Sequence, residues 1–487
     1  MPEKFYDKFS KKSSSAKSNS KTHSKLKGNF ERNGSKKELE KRIAQNEKLP
    51  FQNGKKDFYN SDFVPRKINR EKDALVRSVQ KMFDSAKLSK ESRIVLENFD
   101  EIVQGVRPLN SRQFVQLHRD IRNLSHRLTD EREERRMGYM NANEELSAYV
   151  RYFSWWNLVR FTRIFSNLPE NAFNLNDGDC CIDIGSSPLT VVIAMWLSRP
   201  ELREKKLTWY CIDLSSAAMA LGEDIYLSVA ARLPPKEKKA PPHWNIVRIK
   251  GSGGAVVNKK AAFISCANMY NELSQISPEA PEKIADKQIR QLLSYGTDFP
   301  SIFIAEPGMP TAAHFVSLMR NRFIRKQFDI VSPCPHILEC PMNGFNAKYG
   351  GKVKWCNFDF STDDAPSRLL KLSKNAGLPK ERAVVSFVFA QKRFEKKENS
   401  GGIDKKETLR EGGKSFPKEN EIRIASDRFF VPEKGFCCYA CTNLGLSLVI
   451  DSSKIGISSG DKISLFMLKN TDKLSKDKKS GTFEINL

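Results

Sequence analysis

Four thiols offer the clearest chemistry in this chain. Cys334, Cys340 and Cys356 stand close together in sequence, and Cys441 follows after a long gap. The first two lie in Pro333-Cys334-Pro335-His336 and Glu339-Cys340-Pro341, where proline restricts the backbone beside each thiol. A stiff turn presents thiolates to a metal with little conformational entropy left to lose. A four-cysteine set of this kind can hold zinc or an iron–sulfur cluster. The spacing between Cys334 and Cys340 matches no common zinc ribbon, and plain buried thiols are the alternative, because free cysteine is among the most buried residue types.

A second constellation is acidic. The run Cys180–Ile184 reads as a strand, followed by a turn of small residues, Gly185-Ser186-Ser187, and a helix through Trp196. A turn of this kind at a helix start can hold an anionic or amino-acid-bearing ligand. The next strand, Leu207–Ile212, ends at Asp213, where a carboxylate can accept both hydroxyls of a ribose. This spacing fits the class I S-adenosylmethionine-dependent methyltransferase fold, an α/β Rossmann-like architecture. Where a G-x-G-x-G turn is usual, the chain has Gly185, Ser187 and Leu189, and the leucine adds bulk. Asp183, Gly185, Ser187 and Asp213 are the candidate cofactor-binding residues, joined by Asn271 and Glu306 just past two later strands. Asn271 and Glu272 stand where base-modifying methyltransferases put catalytic side chains. No amino-methylating string of Asp or Asn with Pro-Pro and an aromatic occurs there, and no Pro-Cys nucleophile, so no catalytic residue is assigned. His336 can bond a carbonyl or a thiolate, and Cys180, Cys181, Cys211 and Cys266 fall in strand-like runs that read as core.

The elements that must position these groups fall into a clear order. From Lys72 to Leu168 the pattern is helical. Phe114, Leu117, Ile121, Leu124 and Leu128 recur at steps of three and four, and Asn110 or Ser111 can cap the helix that carries them. A second apolar helix runs through Tyr149, Trp156 and Phe161. After Asn176, short apolar runs alternate with helical stretches, as an α/β domain requires. Asn245–Ile249, Ala262–Cys266, Ser301–Ala305 and Val384–Ala390 are its further strand candidates. The expected organisation is a disordered basic arm over 1–71, a helical domain over 72–168 and a methyltransferase-like domain over 169–391 with a metal-binding insertion at 327–370. A flexible loop over 392–420, a β-rich segment over 421–460 that completes the metal site, and a basic tail over 461–487 follow.

A formal net charge of +24 over 487 residues points to a polyanionic partner, nucleic acid first. Ten cysteines without a recognisable signal sequence read as reduced thiols or metal ligands. The apolar runs are shorter than a membrane span, so no membrane partner is expected. The Lys-rich N-terminus, with Glu3 and Asp7, is unlike an Arg-rich, acid-poor transit peptide. A bacterial cytoplasmic location is therefore expected over a mitochondrial one.

Four strings together resemble one family. They are Asn271-Glu272-Leu273, Glu306-Pro307-Gly308-Met309-Pro310, the proline-flanked cysteine run from Pro333 to Pro341 taken as one, and Trp355-Cys356-Asn357-Phe358. In this order they are similar to the strings of the small-ribosomal-subunit methyltransferase-like family, whose members include a mitochondrial small-subunit assembly factor and bacterial relatives. The likeness covers about Asp73 to Ile450. It departs from the family in the long gap between Cys340 and Cys356 and in Asn357, where histidine is usual. The resemblance implies an S-adenosylmethionine-type fold, a [4Fe–4S] cluster on Cys334, Cys340, Cys356 and Cys441, with Cys438 competing for the last place, and binding to small-subunit rRNA. The expected function is thus a monomeric, ribosome-associated assembly or translation factor in which methyl transfer is doubtful. The alternatives are an active S-adenosylmethionine-dependent rRNA methyltransferase and a zinc-stapled RNA-binding protein.

Overall fold

The computed structural model describes residues 71–129, 140, 142–271, 273, 279–347, 354–393, 420–452 and 455–487. The expected basic arm and flexible loop lie almost wholly outside these residues, as does Glu272. Glu71–Leu487 forms one contact unit.

The chain enters on a strand, β1 (Ala74–Gln80), and then turns helical through α1 (Lys90–Glu97), α2 (Phe99–Val106) and α3 (Ser111–Thr129). Asn110 caps α3 reciprocally: its Oδ1 accepts from the Gln113 N–H at 3.0 Å, and Gln113 Oε1 accepts from the Asn110 N–H at 3.0 Å. Leu117, Ile121 and Leu124 are buried as their spacing predicts, but Phe114 is 51% exposed and outside the core. The second apolar helix begins as α4 (Asn143–Ala148), passes through a π-helical turn at Tyr149–Ser154, and continues as α5 (Trp155–Asn167). Its tryptophans are core residues with satisfied indoles: Trp155 donates to the Leu96 carbonyl at 2.9 Å and Trp156 to Ser373 Oγ at 3.2 Å.

The central sheet consists of β2 (Cys180–Ile184), β3 (Thr208–Asp213), β4 (Asn245–Lys250), β5 (Ala261–Ala267), β6 (Gly296–Glu306), β7 (Phe328–Ser332) and β9 (Arg382–Lys392), in the order β4-β3-β2-β5-β6-β9-β7. The first five run parallel, and β9 is antiparallel to both neighbours. A short strand, β8 (Phe358–Ser361), pairs with β9. This is a doubly wound sheet whose order reverses beside β2, with one antiparallel strand inserted near the edge, which is the class I methyltransferase arrangement. Helices α6 (Thr190–Ser198), α7 (Ser216–Arg232), α8 (Pro281–Tyr295) and α9 (Pro310–Arg325) supply the crossovers, and α10 (Ser367–Asn375) precedes β9.

Both faces of the sheet are covered, so alternate strand residues enter two different cores. On β6, Phe303 and Ala305 join the aromatic side, where Phe161 of α5 meets Phe303 at 5.7 Å; Ile302 and Ile304 join an aliphatic side built with Ile289, Leu292 and Met319. All nine residues of α6 are buried, because that helix lies among the N-terminal helices as well as against the sheet.

The remaining strands form a second sheet: β1, β10 (Asn420–Ile424), β11 (Phe429–Val431), β12 (Gly435–Thr442), β13 (Gly445–Ile450), β14 (Lys462–Met467) and β15 (Phe483–Asn486). β10, β12 and β13 pair antiparallel in that order, with β11 forming a hairpin onto β12; β14 returns to pair with β10, and β15 lies parallel to β13. β1 pairs with β14, and the Asp73 N–H donates to the Asn486 carbonyl at 2.9 Å, which brings the two ends of the sheet together and curls it into a partly open barrel. Ile422, Ile424, Cys438, Ala440, Val449, Ile463, Leu465 and Ile485 fill the interior.

Three boundaries differ from expectation. Residues 461–487 are not a basic tail but two strands, β14 and β15, and their connection; the buried Ile463 and Leu465 lie in a short run within a lysine-rich stretch. The helical region starts with a strand whose partner lies at the other end of the chain, a pairing local periodicity cannot show. The cysteine-bearing excursion starts after Ser332, because Phe328–Ser332 is a strand of the main sheet.

Candidate metal centre and strand-end crevice

The structure brings the four cysteines from three separate segments to one place. Cys340 and Cys441 share a small buried cluster with Met342 and Ala425, and Cys356 and Leu446 pack against it. Cys334 follows directly on β7. Arg423 of β10, buried, donates to the Pro333 carbonyl at 2.6 Å and to the Gly460 carbonyl at 2.7 Å, fixing the loop to the barrel. Cys356 is held beside Cys340 by a short antiparallel contact: the Cys356 N–H donates to the Met342 carbonyl at 2.9 Å, and Asn343 bridges to Trp355. Trp355 Nε1 donates to the Gly308 carbonyl at 2.9 Å, and Ser386 Oγ to that of Cys356 at 2.8 Å. These contacts close the base of the long gap between Cys340 and Cys356, whose residues 348–353 lie outside the described residues.

Cys441 is on β12, whose alternation settles how it differs from Cys438. Cys438 and Ala440 point into the barrel core, whereas Cys441 points out toward Cys340 and Met342.

The electrostatics tie the four thiols together. Burial comes first, and neighbouring thiolates then raise the thiols further: Cys334 raises Cys340, Cys334 and Cys340 raise Cys441, and all three raise Cys356. Two nitrogen groups face the sulfurs. Arg320 of α9, buried, donates Nε to Cys334 Sγ at 3.1 Å and Nη2 to the His336 carbonyl at 2.8 Å. Burial disfavours its charge, but Cys334, Cys340 and Cys441 together outweigh that and raise its pKa. His336 Nε2 lies 3.1 Å from Cys441 Sγ, and burial followed by the Arg320 charge holds this imidazole down to about 4, hence neutral at pH 7. A metal reverses such thiol behaviour, because coordination stabilises the thiolate. Among the described residues, no set of three or more His, Cys, Asp or Glu side chains is gathered closely enough to hold a metal ion. The donor set is thus all sulfur and faced by a cation, and its thiols are not drawn into a preformed metal-holding set.

The acidic constellation gathers at the C-terminal edge of β2, β3, β5 and β6, but its polar atoms mainly hold loops. Asp183 is buried and accepts from Ser186 Oγ at 2.7 Å and Ser265 Oγ at 2.6 Å. Burial pushes its pKa up to about 7 against those two hydrogen bonds. Asp213 accepts from the Ser187 N–H at 3.1 Å on one oxygen and the Ser215 N–H at 2.9 Å on the other, which ties the glycine turn to the next strand. Gly185 has φ of 70°, a conformation that favours glycine, and its N–H donates to the Ile212 carbonyl at 2.9 Å. A Cβ on Gly185 would stand 3.3 Å from Met269 Cβ, so the Met269 side chain lies directly over the turn. Glu306 is buried and accepts from the Tyr270 N–H at 2.8 Å and the Asn271 N–H at 3.1 Å, shaping the segment that carries Asn271. Cys266 and Tyr270, the nearby ionisable groups, are both raised well above their ordinary values, first by burial.

Sequence reasoning did not find Arg320, Met269 or Arg423. Arg320 lies on an amphipathic helix before the cysteine strings, and nothing in its local spacing separates it from the other arginines of that helix.

Residues 176–412 match the family described as mitochondrial small ribosomal subunit Rsm22. No curated protein matches the sequence. Among solved structures, the chain is similar to an S-adenosylmethionine-dependent methyltransferase from Geobacter sulfurreducens in complex with S-adenosylhomocysteine, at 15% identity, covering 46% of this chain and 88% of that one with a TM-score of 0.26. A methyltransferase from Thiobacillus denitrificans, also with S-adenosylhomocysteine, gives 13% identity, 46% and 89% coverage and a TM-score of 0.26. A putative RNA methyltransferase from Pyrococcus horikoshii gives 10%, 46%, 81% and 0.24. The matched residues span β2 to β9 and three of the four cysteines, so the likeness to the Rsm22 family covers the main sheet and the cysteine excursion.

Proposed function

We propose that this protein is a monomeric RNA-binding factor of the small ribosomal subunit, acting in its assembly or in translation, on a methyltransferase fold stapled by a [4Fe–4S] cluster. The match of residues 176–412 to the Rsm22 family and the net charge of +24 support the ribosomal and RNA parts of this reading. One observation carries the cluster: Cys334, Cys340, Cys356 and Cys441 converge at the junction of the cysteine excursion and the barrel, with Arg320 donating to a sulfur. A cluster held there supplies four iron–thiolate bonds and joins two parts of the chain. Arg320 offsets part of the negative charge of the thiolates, Trp355 and Ser386 hold the strand of Cys356, and Arg423 fixes the entry of the Cys334 loop. No membrane role is part of the reading; no described helix is long and apolar enough to cross a membrane. A cytoplasmic location is part of the proposal and is read by cell fractionation.

The test is anaerobic purification of the full chain followed by metal and sulfide analysis, a visible spectrum and co-sedimentation with isolated small subunits. About four irons and four sulfides per chain with a broad brown absorbance supports the cluster. Zinc alone replaces it with the zinc-stapled reading, and failure to co-sediment removes the ribosomal one.

An active rRNA methyltransferase is the second reading, favoured by Asp213 at its strand end and by the glycine conformation at Gly185. Met269 over the turn and the engagement of Glu306 speak against it. Titration with S-adenosylmethionine and transfer of labelled methyl to small-subunit RNA decide this point.

A further inference from the structure

The barrel carries an interaction surface that the cysteine centre and the strand-end crevice do not use. Its connectivity is three antiparallel strands in order (β10, β12, β13, with β11 a hairpin onto β12), a fourth returning to the first, and a fifth parallel to the third. This is the connectivity of an oligonucleotide-binding barrel, in which the loops between strands one and two and between strands four and five flank the ligand. In this chain those are the β11 hairpin leading into β12 and the segment 468–482 between β14 and β15.

Both loops carry what single-stranded nucleic acid needs. In the hairpin, Phe430 and Phe436 are cross-strand neighbours, 50% and 41% exposed, with ring centroids 5.6 Å apart. The Arg428 guanidinium lies 4.7 Å from the Phe436 centroid. Pairs of half-exposed phenylalanines on a hairpin are poor neighbours for water and offer open faces to bases. In the second loop Lys476, Lys478 and Lys479 are exposed. The two loops are physically joined: Lys434 at the hairpin turn pairs with Asp477 of the lysine loop and with Glu484 of β15 at 2.5 Å. The aromatic pair and the lysines therefore stand at the same end of the barrel.

We infer that this end of the barrel binds single-stranded RNA, with bases stacking on Phe430 and Phe436 and the backbone following the loop lysines, while Arg428, paired with the buried Asp451 at 3.1 Å, holds the Phe436 ring in place. The inference rests on the RNA-binding reading above and gives that reading a site. An apolar protein segment would use the phenylalanines but gain nothing from the cations, so charge complementarity selects the polyanion. Stacking also explains why aromatic rings rather than hydrogen-bonding side chains are presented: every base has a π face, which suits a site tolerant of sequence.

The experiment uses the full chain, purified anaerobically, and a fluorescein-labelled single-stranded RNA of about twelve nucleotides, within the site size of one such barrel. Anisotropy titrations compare wild type, Phe430→Ala/Phe436→Ala, and Lys476→Gln/Lys478→Gln/Lys479→Gln, with melting temperature and co-sedimentation with small subunits measured on each. The aromatic pair variant is expected to weaken RNA binding at least ten-fold, from about 1–3 kcal/mol per stacked base. The lysine variant is expected to lower the slope of log affinity against log salt by about 0.7 per lost phosphate contact. The lysine variant alters exposed loop residues only, so it keeps the test alive if the aromatic variant unfolds. Unchanged affinity and slope in both variants overturn the assignment. Wild type that co-sediments with subunits but ignores single-stranded RNA overturns this site while leaving the ribosomal reading intact. Wild type that binds neither overturns both.

Discussion

Replacing Cys441 by alanine tests the cluster reading most directly, because this thiol alone comes from the barrel. Cys441 projects from β12 toward Cys340 and Met342, while Cys334, Cys340 and Cys356 all sit in one excursion after β7. A cluster bound by all four closes a loop of roughly 85 residues between Cys356 and Cys441, and the chain-entropy relation for a cross-link of that length gives about 4 to 5 kcal/mol. Cys441→Ala removes this closure. It is expected to lose iron and to shift unfolding by an amount of that order in anaerobic denaturant titrations. Cys438→Ala is the matched control. Cys438 is equally buried but faces the barrel interior, so its loss opens a small cavity at roughly 1 to 2 kcal/mol and leaves the iron in place. Iron per chain and sulfide per chain are read on both variants, together with the denaturation midpoint. A Cys441→Ala protein with wild-type iron and midpoint would refute the reasoning, as would a Cys438→Ala protein that loses its iron.

Other outcomes follow from specific contacts. A Cβ on Gly222 of α7 would stand 2.5 Å from the Pro188 carbonyl carbon and 2.6 Å from its oxygen, so Gly222→Ala should destabilise by about 1 to 3 kcal/mol despite its helix propensity. Gly105→Ala meets nothing within 4 Å and should stabilise by up to about 1 kcal/mol; thermal unfolding showing the same sign for both would sink the packing argument. The buried Asp183, raised to about 7 from an ordinary 3.8, makes the folded state hold its proton longer than the unfolded chain does. Its contribution to stability therefore declines as pH rises between those values, by at most about 1.4 kcal/mol per pH unit. Asp183→Asn should accordingly compare more favourably with wild type at pH 8 than at pH 5, and an identical stability difference at both pH values contradicts the assignment. Arg320→Lys keeps the charge but loses the planar fork that reaches both Cys334 Sγ and the His336 carbonyl. Faster release of iron to a chelator is expected, and an unchanged rate argues that Arg320 is not coupled to the centre.

Six strands of the main sheet, the acidic strand ends and the cysteines were legible in the sequence, whereas β7 and β8, inside the cysteine-bearing stretch, were not. The legible features are local: a doubly covered parallel sheet writes itself as short apolar runs, and Asp183, Asp213 and Glu306 each stand at the end of one. The proline-flanked thiols were equally plain, since their types and spacing carry the signal without reference to anything distant. What the tertiary structure decided depends on contacts between remote segments. Strand parity sends Cys441 outward and Cys438 into the barrel, a distinction visible only once β12 has partners on both sides. Arg320 faces Cys334 because α9 packs beside the loop that follows β7, and the carboxylates of Asp213 and Glu306 hold backbone N–H groups contributed by other turns. The barrel was hidden for the same reason: its first strand and its last lie at opposite ends of the described chain, joined by the Asp73 to Asn486 hydrogen bond, and periodicity along a sequence carries no record of which distant edge a short strand will complete.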